Sequence, residues 1–130
     1  MQTEYISLTI MTLLFLFAWL PVSIGKVKTF GGKWANSNRD PILGKELTGW
    51  AARCERAHNN LKDNFPGFIA AILILGQTGQ FDTGTAIASI IYVISRIAHY
   101  IFYGIGNVSG RAFSYILGLF INVYLLIKCF

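Results

Sequence analysis

A chain of 130 residues with 54% apolar and only 13% charged side chains carries more hydrophobic surface than one soluble core of that length can bury. A bilayer has to cover the remainder, which excludes a soluble domain. The net charge of +5 is concentrated in one segment and suits anionic lipid headgroups, so nucleic acid is not expected as a partner.

Crossing ~30 Å of hydrocarbon takes about 20 helical residues, and four apolar stretches offer themselves in chain order: Tyr5–Gly25, Phe65–Gly79, Thr83–Ile105 and Ala112–Phe130. The first lacks a basic leader and a small-x-small cleavage site after Pro21, so it reads as a retained helix and not a signal peptide. Between the first and second stretches lie Lys26, Lys28, Lys33, Arg39, Lys45, Arg53, Arg56 and Lys62, eight of the eleven cations. Positive-inside bias assigns residues 26–62 to the cytoplasm, which leaves the N- and C-termini outside. The second stretch is short for a span, so its helix is expected to start earlier. Asp40-Pro41 reads as a cap and a first-turn proline, with a helix from Lys45 into the membrane, bent at Pro66. The expected fold is an all-α integral membrane protein, one four-transmembrane-helix bundle with helices near 5–25, 45–79, 83–105 and 111–130 and a cytoplasmic loop at 26–44.

Helical spacing then gathers the polar residues. Arg53, Arg56, Asn60 and Asp63 fall on one face of the second helix, Tyr92, Arg96, His99 and Tyr103 on one face of the third, and Arg111, Tyr115, Gly118 and Asn122 on one face of the fourth. An arginine at the centre of a span costs roughly 2.5–3.5 kcal/mol on insertion scales, so these faces turn to protein, water or a ligand. Under the charge-derived topology all three stripes meet near the cytoplasmic end, forming a basic, aromatic-edged pocket for an anionic ligand. Each member also has a plainer reading. Arg53 and Arg56 suit lipid headgroups, Tyr103 and Tyr115 an interfacial aromatic belt, His99 an interior hydrogen bond, and Arg96 a strut on Asp63 or on backbone carbonyls. Cys54 and Cys129 lie far apart and read as free thiols. His58 and His99 lack clustered partners, so no metal site is expected.

The run Arg56-Ala57-His58-Asn59-Asn60-Leu61-Lys62-Asp63-Asn64-Phe65-Pro66-Gly67-Phe68 resembles the signature of the MAPEG family, the membrane-associated proteins of eicosanoid and glutathione metabolism. In outline that signature is Arg-Ala-x-x-Asn-x-x-Glu-x-x-Pro-x-Phe. Arg96-Ile97-Ala98-His99 with Tyr103, and Arg111 with Tyr115, resemble its third- and fourth-helix patterns. Asn38–Pro41 resembles the Asn-Arg-Asp-Pro segment of a bacterial branch, which implies a bacterial inner membrane. The resemblance implies a homotrimer that binds glutathione between subunits as cosubstrate. In that picture Arg56, Asn60 and Asp63 hold the charged ends of the tripeptide, and Arg96, His99, Tyr103 and Tyr115 line or shape the pocket. Arg111 would act as the catalytic residue by stabilising the thiolate, since a guanidinium beside a thiol of pKa ~8.5 favours the nucleophilic anion.

The implied activity is that of a glutathione-dependent transferase or peroxidase acting on hydrophobic electrophiles or lipid hydroperoxides from the bilayer. There are departures from the pattern. Asp63 replaces a glutamate, Asn59 a second arginine and Ala112 a serine, and the first helix carries no arginine; eicosanoid synthesis is therefore not expected. The alternative is a non-catalytic protein of the same fold that binds a lipid headgroup or small anion, or serves as an assembly partner. A small multidrug exporter would need an intramembrane carboxylate that Tyr5–Gly25 lacks, and a quinone-coupled disulfide catalyst would need paired cysteines.

Overall fold

The computed structural model describes residues 2–130, and these are helical without strands. Helix α1 (Thr3–Phe17) and helix α2 (Leu20–Phe30) meet at Ala18–Trp19, both in right-handed helical conformation. Pro21 sits in the first turn of α2, where its missing N–H removes no intrahelical bond. The two helices form one bent rod, an apolar segment of 28 residues, Thr3–Phe30. It runs beyond the expected end at Gly25, because Lys26-Val27-Lys28 still propagates the helix until Gly31, at φ +94°, breaks it. A single turn, α3 (Gly32–Ala35), follows.

Residues 36–48 are irregular. Helix α4 (Gly49–Gln77) begins four residues later than the expected start at Lys45, and Asp40-Pro41 caps nothing. Gly44 and Gly49, the latter the first residue of α4, both take positive φ, as does Arg39, and a right-handed helix cannot be continued back through left-handed residues. Within α4, Pro66 is exposed and the helix continues past it. Helix α5 (Thr83–Ile105) is started by a capping box in which Thr85 N–H donates to Asp82 Oδ1 at 2.8 Å and Asp82 N–H donates to Thr85 Oγ1 at 2.8 Å. It stops at left-handed Gly106. Helix α6 (Val108–Ile127) is capped by Asn107, whose Oδ1 accepts from Gly110 N–H at 2.8 Å.

Helix α4 packs against both halves of the bent rod and against α5 and α6, while α5 and α6 form a hairpin. The rod and α4 approach closely where Gly25 meets Ala51: a β-carbon at Gly25 would lie 3.4 Å from the Ala51 Cα and overlap its methyl, a small-residue contact suited to helices in lipid. In the core, the Phe68 and Tyr92 rings stack at 4.1 Å among Met11, Ile72, Leu75 and Leu125.

The distribution of side chains is inverted relative to a water-soluble bundle. Thr85, Ser89, Arg96, His99, Ser114 and Asn122 are buried, whereas Ile87, Ile94, Ile101, Phe113, Phe120 and Ile127 face outward. Outward apolar and inward polar faces are what a hydrocarbon solvent selects. The rod, α5 and α6 are each long and apolar enough to cross a membrane. Helix α4 carries five charged residues between Arg53 and Asp63 and is apolar only in its second half.

Candidate functional site

The stripe on α5 is continuous. Thr85, Ser89, Tyr92, Arg96, His99 and Tyr103 recur at four, three, four, three and four residues, and the first five are buried. Different parts of it meet different partners, and the end nearest Gly106 opens to a cleft lined by its last two members.

That cleft, of about 320 Å³, is lined by Asn60 of α4, His99 and Tyr103 of α5, and Arg111, Ala112 and Tyr115 of α6. Five residues singled out by helical spacing thus share one wall. Its size falls at the lower end of the ~300–1,000 Å³ typical of small-molecule sites. Arg111 sits with its guanidinium carbon 4.7 Å from the centre of the Tyr103 ring, a cation–π contact. Arg56, exposed on α4, approaches the same ring at 5.9 Å. Neither arginine forms an ion pair: the salt bridges among the described residues are Lys26–Glu55 and Lys128–Asp82.

His99 is fixed by its backbone contact. Its Nδ1 lies 3.0 Å from the Arg111 carbonyl oxygen; since a carbonyl only accepts, Nδ1 carries the proton. In the neutral ring Nε2 is then an acceptor, and it is buried without a partner. Tyr103 meets the imidazole edge-on at 5.5 Å and Tyr115 tilts against it at 5.9 Å. The cleft therefore offers a free guanidinium, an unpartnered imidazole nitrogen, two aromatic faces and a carboxamide. That set suits an anionic, hydrogen-bonding ligand.

Two residues proposed from spacing lie elsewhere in the single chain. Arg96 is 2% exposed and turns into the bundle. Its Nη2 donates to the Tyr115 carbonyl at 2.9 Å and to the Ser114 carbonyl at 3.3 Å, and its Nη1 to Asn60 Oδ1 at 3.5 Å. It is the carbonyl-bound strut, without Asp63. Its guanidinium also faces the Tyr92 and Tyr115 rings, each at 5.5 Å. Asp63 is exposed and lines no part of the cleft. Arg96 still acts on the site, because it ties the α6 backbone at Ser114–Tyr115 to Asn60 on α4.

Several contacts escaped sequence reasoning. Gly118 makes room for the Arg96 guanidinium: a β-carbon there would lie 2.6 Å from Nε and 2.7 Å from Cζ. The Asn64 carbonyl accepts from both Tyr92 Oη and Asn122 Nδ2 at 3.3 Å, and Gly67 lets Asn122 approach. At the opposite end of α5, Glu4 is buried and accepts from Thr85 Oγ1 at 2.6 Å, while Ser89 Oγ donates to Ser7 Oγ at 3.1 Å. The signal was present, as Glu4 and Ser7 stand three apart and Thr85 and Ser89 four apart.

No curated protein and no solved structure matches the chain. The sequence model of the MAPEG family matches residues 4–130, essentially the whole length, and takes in every residue lining the cleft. With its outward apolar helices and this match, the chain belongs to the MAPEG family, a family of membrane proteins.

Proposed function

We propose that the protein is a glutathione-dependent membrane transferase or peroxidase whose cosubstrate sits in the cleft between α4, α5 and α6. The observation that carries the reading is Arg111: a guanidinium at the cleft wall, packed on Tyr103 and unpaired with any carboxylate. A cation within ~4 Å of a thiol sulfur lowers its pKa, at about 1.4 kcal/mol per unit, and so raises the fraction of nucleophilic thiolate near neutral pH. The thiolate attacks an electrophilic carbon from the bilayer and expels its leaving group as an anion, or attacks a hydroperoxide oxygen, breaking the O–O bond to release the alcohol and a glutathione sulfenic acid that a second glutathione converts to the disulfide and water. His99 Nε2 and Asn60 accept and donate hydrogen bonds to the peptide, and Tyr115 closes the apolar side.

The reading extends to assembly and orientation. The bent rod, α4, α5 and α6 form a four-span subunit of a homotrimer in a bacterial inner membrane, with the basic segment cytoplasmic. Exposed Arg56 and Asp63, one turn either side of Asn60, face a neighbouring copy and complete the site for the tripeptide's carboxylate and amino group. Support for this comes from the openness of the cleft beside α4 and from the unpaired state of Arg56.

Calorimetric titration of the purified protein with glutathione, together with conjugation to an aryl halide and reduction of a lipid hydroperoxide, tests the proposal. Saturable binding with a thiolate absorbance lost in Arg111→Ala supports it; absence of saturable binding ends it. The absence of an arginine on the rod favours a second reading, a non-catalytic family member that holds a small anion. Binding without turnover on either substrate class would establish that one.

A further inference from the structure

A second cleft, of about 360 Å³, lies under the irregular segment that follows α2, on the side of α4 where Glu55 pairs with Lys26 at 2.6 Å. Its floor is apolar: Phe30 and Trp34 pack with ring centres 4.4 Å apart, and Ile42 and Leu47 line the cleft beside them. Trp34 is anchored by donation from Nε1 to the Asp40 carbonyl at 2.8 Å, which also pins the loop over the cleft.

Two cations stand on the rim without acidic partners. Arg39 holds φ +60°, a left-handed conformation that a non-glycine residue keeps only when its surroundings impose it. Its N–H donates to Ser37 Oγ at 3.1 Å and its Nε to the Ala35 carbonyl at 3.0 Å, which leaves both terminal guanidinium nitrogens for a ligand. Lys45 is set on the other side by its own turn, in which its N–H donates to the Ile42 carbonyl at 3.1 Å. Neither Arg39 nor Lys45 forms a salt bridge, and the charge of Lys26 is already neutralised by Glu55. The rim is therefore net positive above an apolar floor.

Depth in the bilayer follows from length. The rod Thr3–Phe30 has 28 residues, about 42 Å at 1.5 Å per residue, against ~30 Å of hydrocarbon. Its last turns, which carry Lys26 and Phe30, consequently reach the headgroup layer. Beside them Ile42 and the fully exposed Leu43 project from the loop, an apolar tip between two cations. That composition matches a boundary between acyl chain and phosphate.

We propose that this cleft binds one anionic diacyl phospholipid, with its phosphate between Arg39 and Lys45 and an acyl chain over Phe30, Trp34 and Leu47. The site is separate from the thiol cleft, shares no residue with it, and stands or falls independently of the activity proposed above. Glycerophospholipid is favoured over free phosphate because the floor is apolar and because no second pair of cations encloses the rim.

The full-length protein, reconstituted in nanodiscs of phosphatidylglycerol and phosphatidylcholine and then released into detergent, is assayed for retained lipid by native mass spectrometry. One phosphatidylglycerol per chain is retained in preference to phosphatidylcholine. Arg39→Gln with Lys45→Gln reduces that retention roughly 25-fold, from about a fivefold contribution per cation at the surface. Lys45→Gln alone gives the fivefold loss and keeps the test valid if the Arg39 change disturbs the loop, whereas Lys33→Gln, an exposed cation outside the cleft, changes nothing. Equal retention of both lipids, or an undiminished preference in Lys45→Gln, overturns the assignment. So does an equal loss in Lys33→Gln, which would mean diffuse surface charge, or full displacement by inorganic phosphate, which would mean the acyl floor is irrelevant.

Discussion

Replacing Gly118 by alanine puts a methyl group where the Arg96 guanidinium lies, 2.6 Å from Nε and 2.7 Å from Cζ. The end of an arginine is ordinarily free to swing aside, but this one is 2% exposed and held by the Tyr115 and Ser114 carbonyls. To make room it must give up at least one hydrogen bond to a charged group, about 1.5–3 kcal/mol. Alanine returns about 1 kcal/mol of helix propensity, so Gly118→Ala should destabilise the fold by about 0.5–2 kcal/mol. In an Arg96→Ala background the methyl meets empty space and the same change becomes stabilising by up to about 1 kcal/mol. The double-mutant cycle, measured by thermal or SDS denaturation in micelles with circular dichroism, should therefore return a coupling of about 1.5–3 kcal/mol. Additivity within ~0.5 kcal/mol would refute the claim that Gly118 exists to seat this side chain.

Other expectations can be checked with the same preparations. Thr85→Val removes both the acceptor for the Asp82 N–H and the donor to buried Glu4, and should cost about 2 kcal/mol; Thr85→Ser should cost little, and equal losses for both would argue against the hydroxyl's role. Outside the spans, the Lys128 ammonium and then the Thr85 N–H hold the Asp82 carboxyl below its ordinary value, and Asp82 in turn raises Lys128. Stability from Asp82 is accordingly present above the ordinary carboxylate pKa and lost as pH falls through the depressed folded value. That from Lys128 is complete below the ordinary ammonium pKa and fades as pH rises through the raised one. Asp82→Asn should flatten the acid limb of a stability–pH curve, and salt should shrink the effect, because the pair is exposed. Arg111→Lys should keep part of the thiolate absorbance while Arg111→Ala loses it, with kcat/KM for conjugation falling about 10- to 100-fold in the alanine variant; unchanged kinetics would remove Arg111 from the chemistry.

Spacing alone named Asn60, His99, Tyr103, Arg111 and Tyr115, and these do share one cleft. The method works because intramembrane polar groups on a helix cannot face lipid, so their period reports which side is inward. It could not say how far each side chain reaches. Arg96 and His99 stand three residues apart, yet one is tied to backbone carbonyls inside the bundle and the other borders the cleft. Glu4 belongs to none of the three polar stripes, and only the docking of α1 against α5 shows it buried on Thr85. The late start of α4 depended on the φ values of Gly44 and Gly49, which composition does not reveal.

Membrane residence, the helical class, the positions of the long apolar segments and the family were decided by the sequence itself, because hydrophobic length, charge placement and a motif are local properties of a chain in lipid. The tertiary structure decided which polar atoms are satisfied within the bundle and which remain open to a ligand. That outcome depends on distances of a few tenths of an ångström between helices, set by small residues such as Gly25, Gly67 and Gly118, and close approach of that kind is a property of pairs of helices that no single helix encodes.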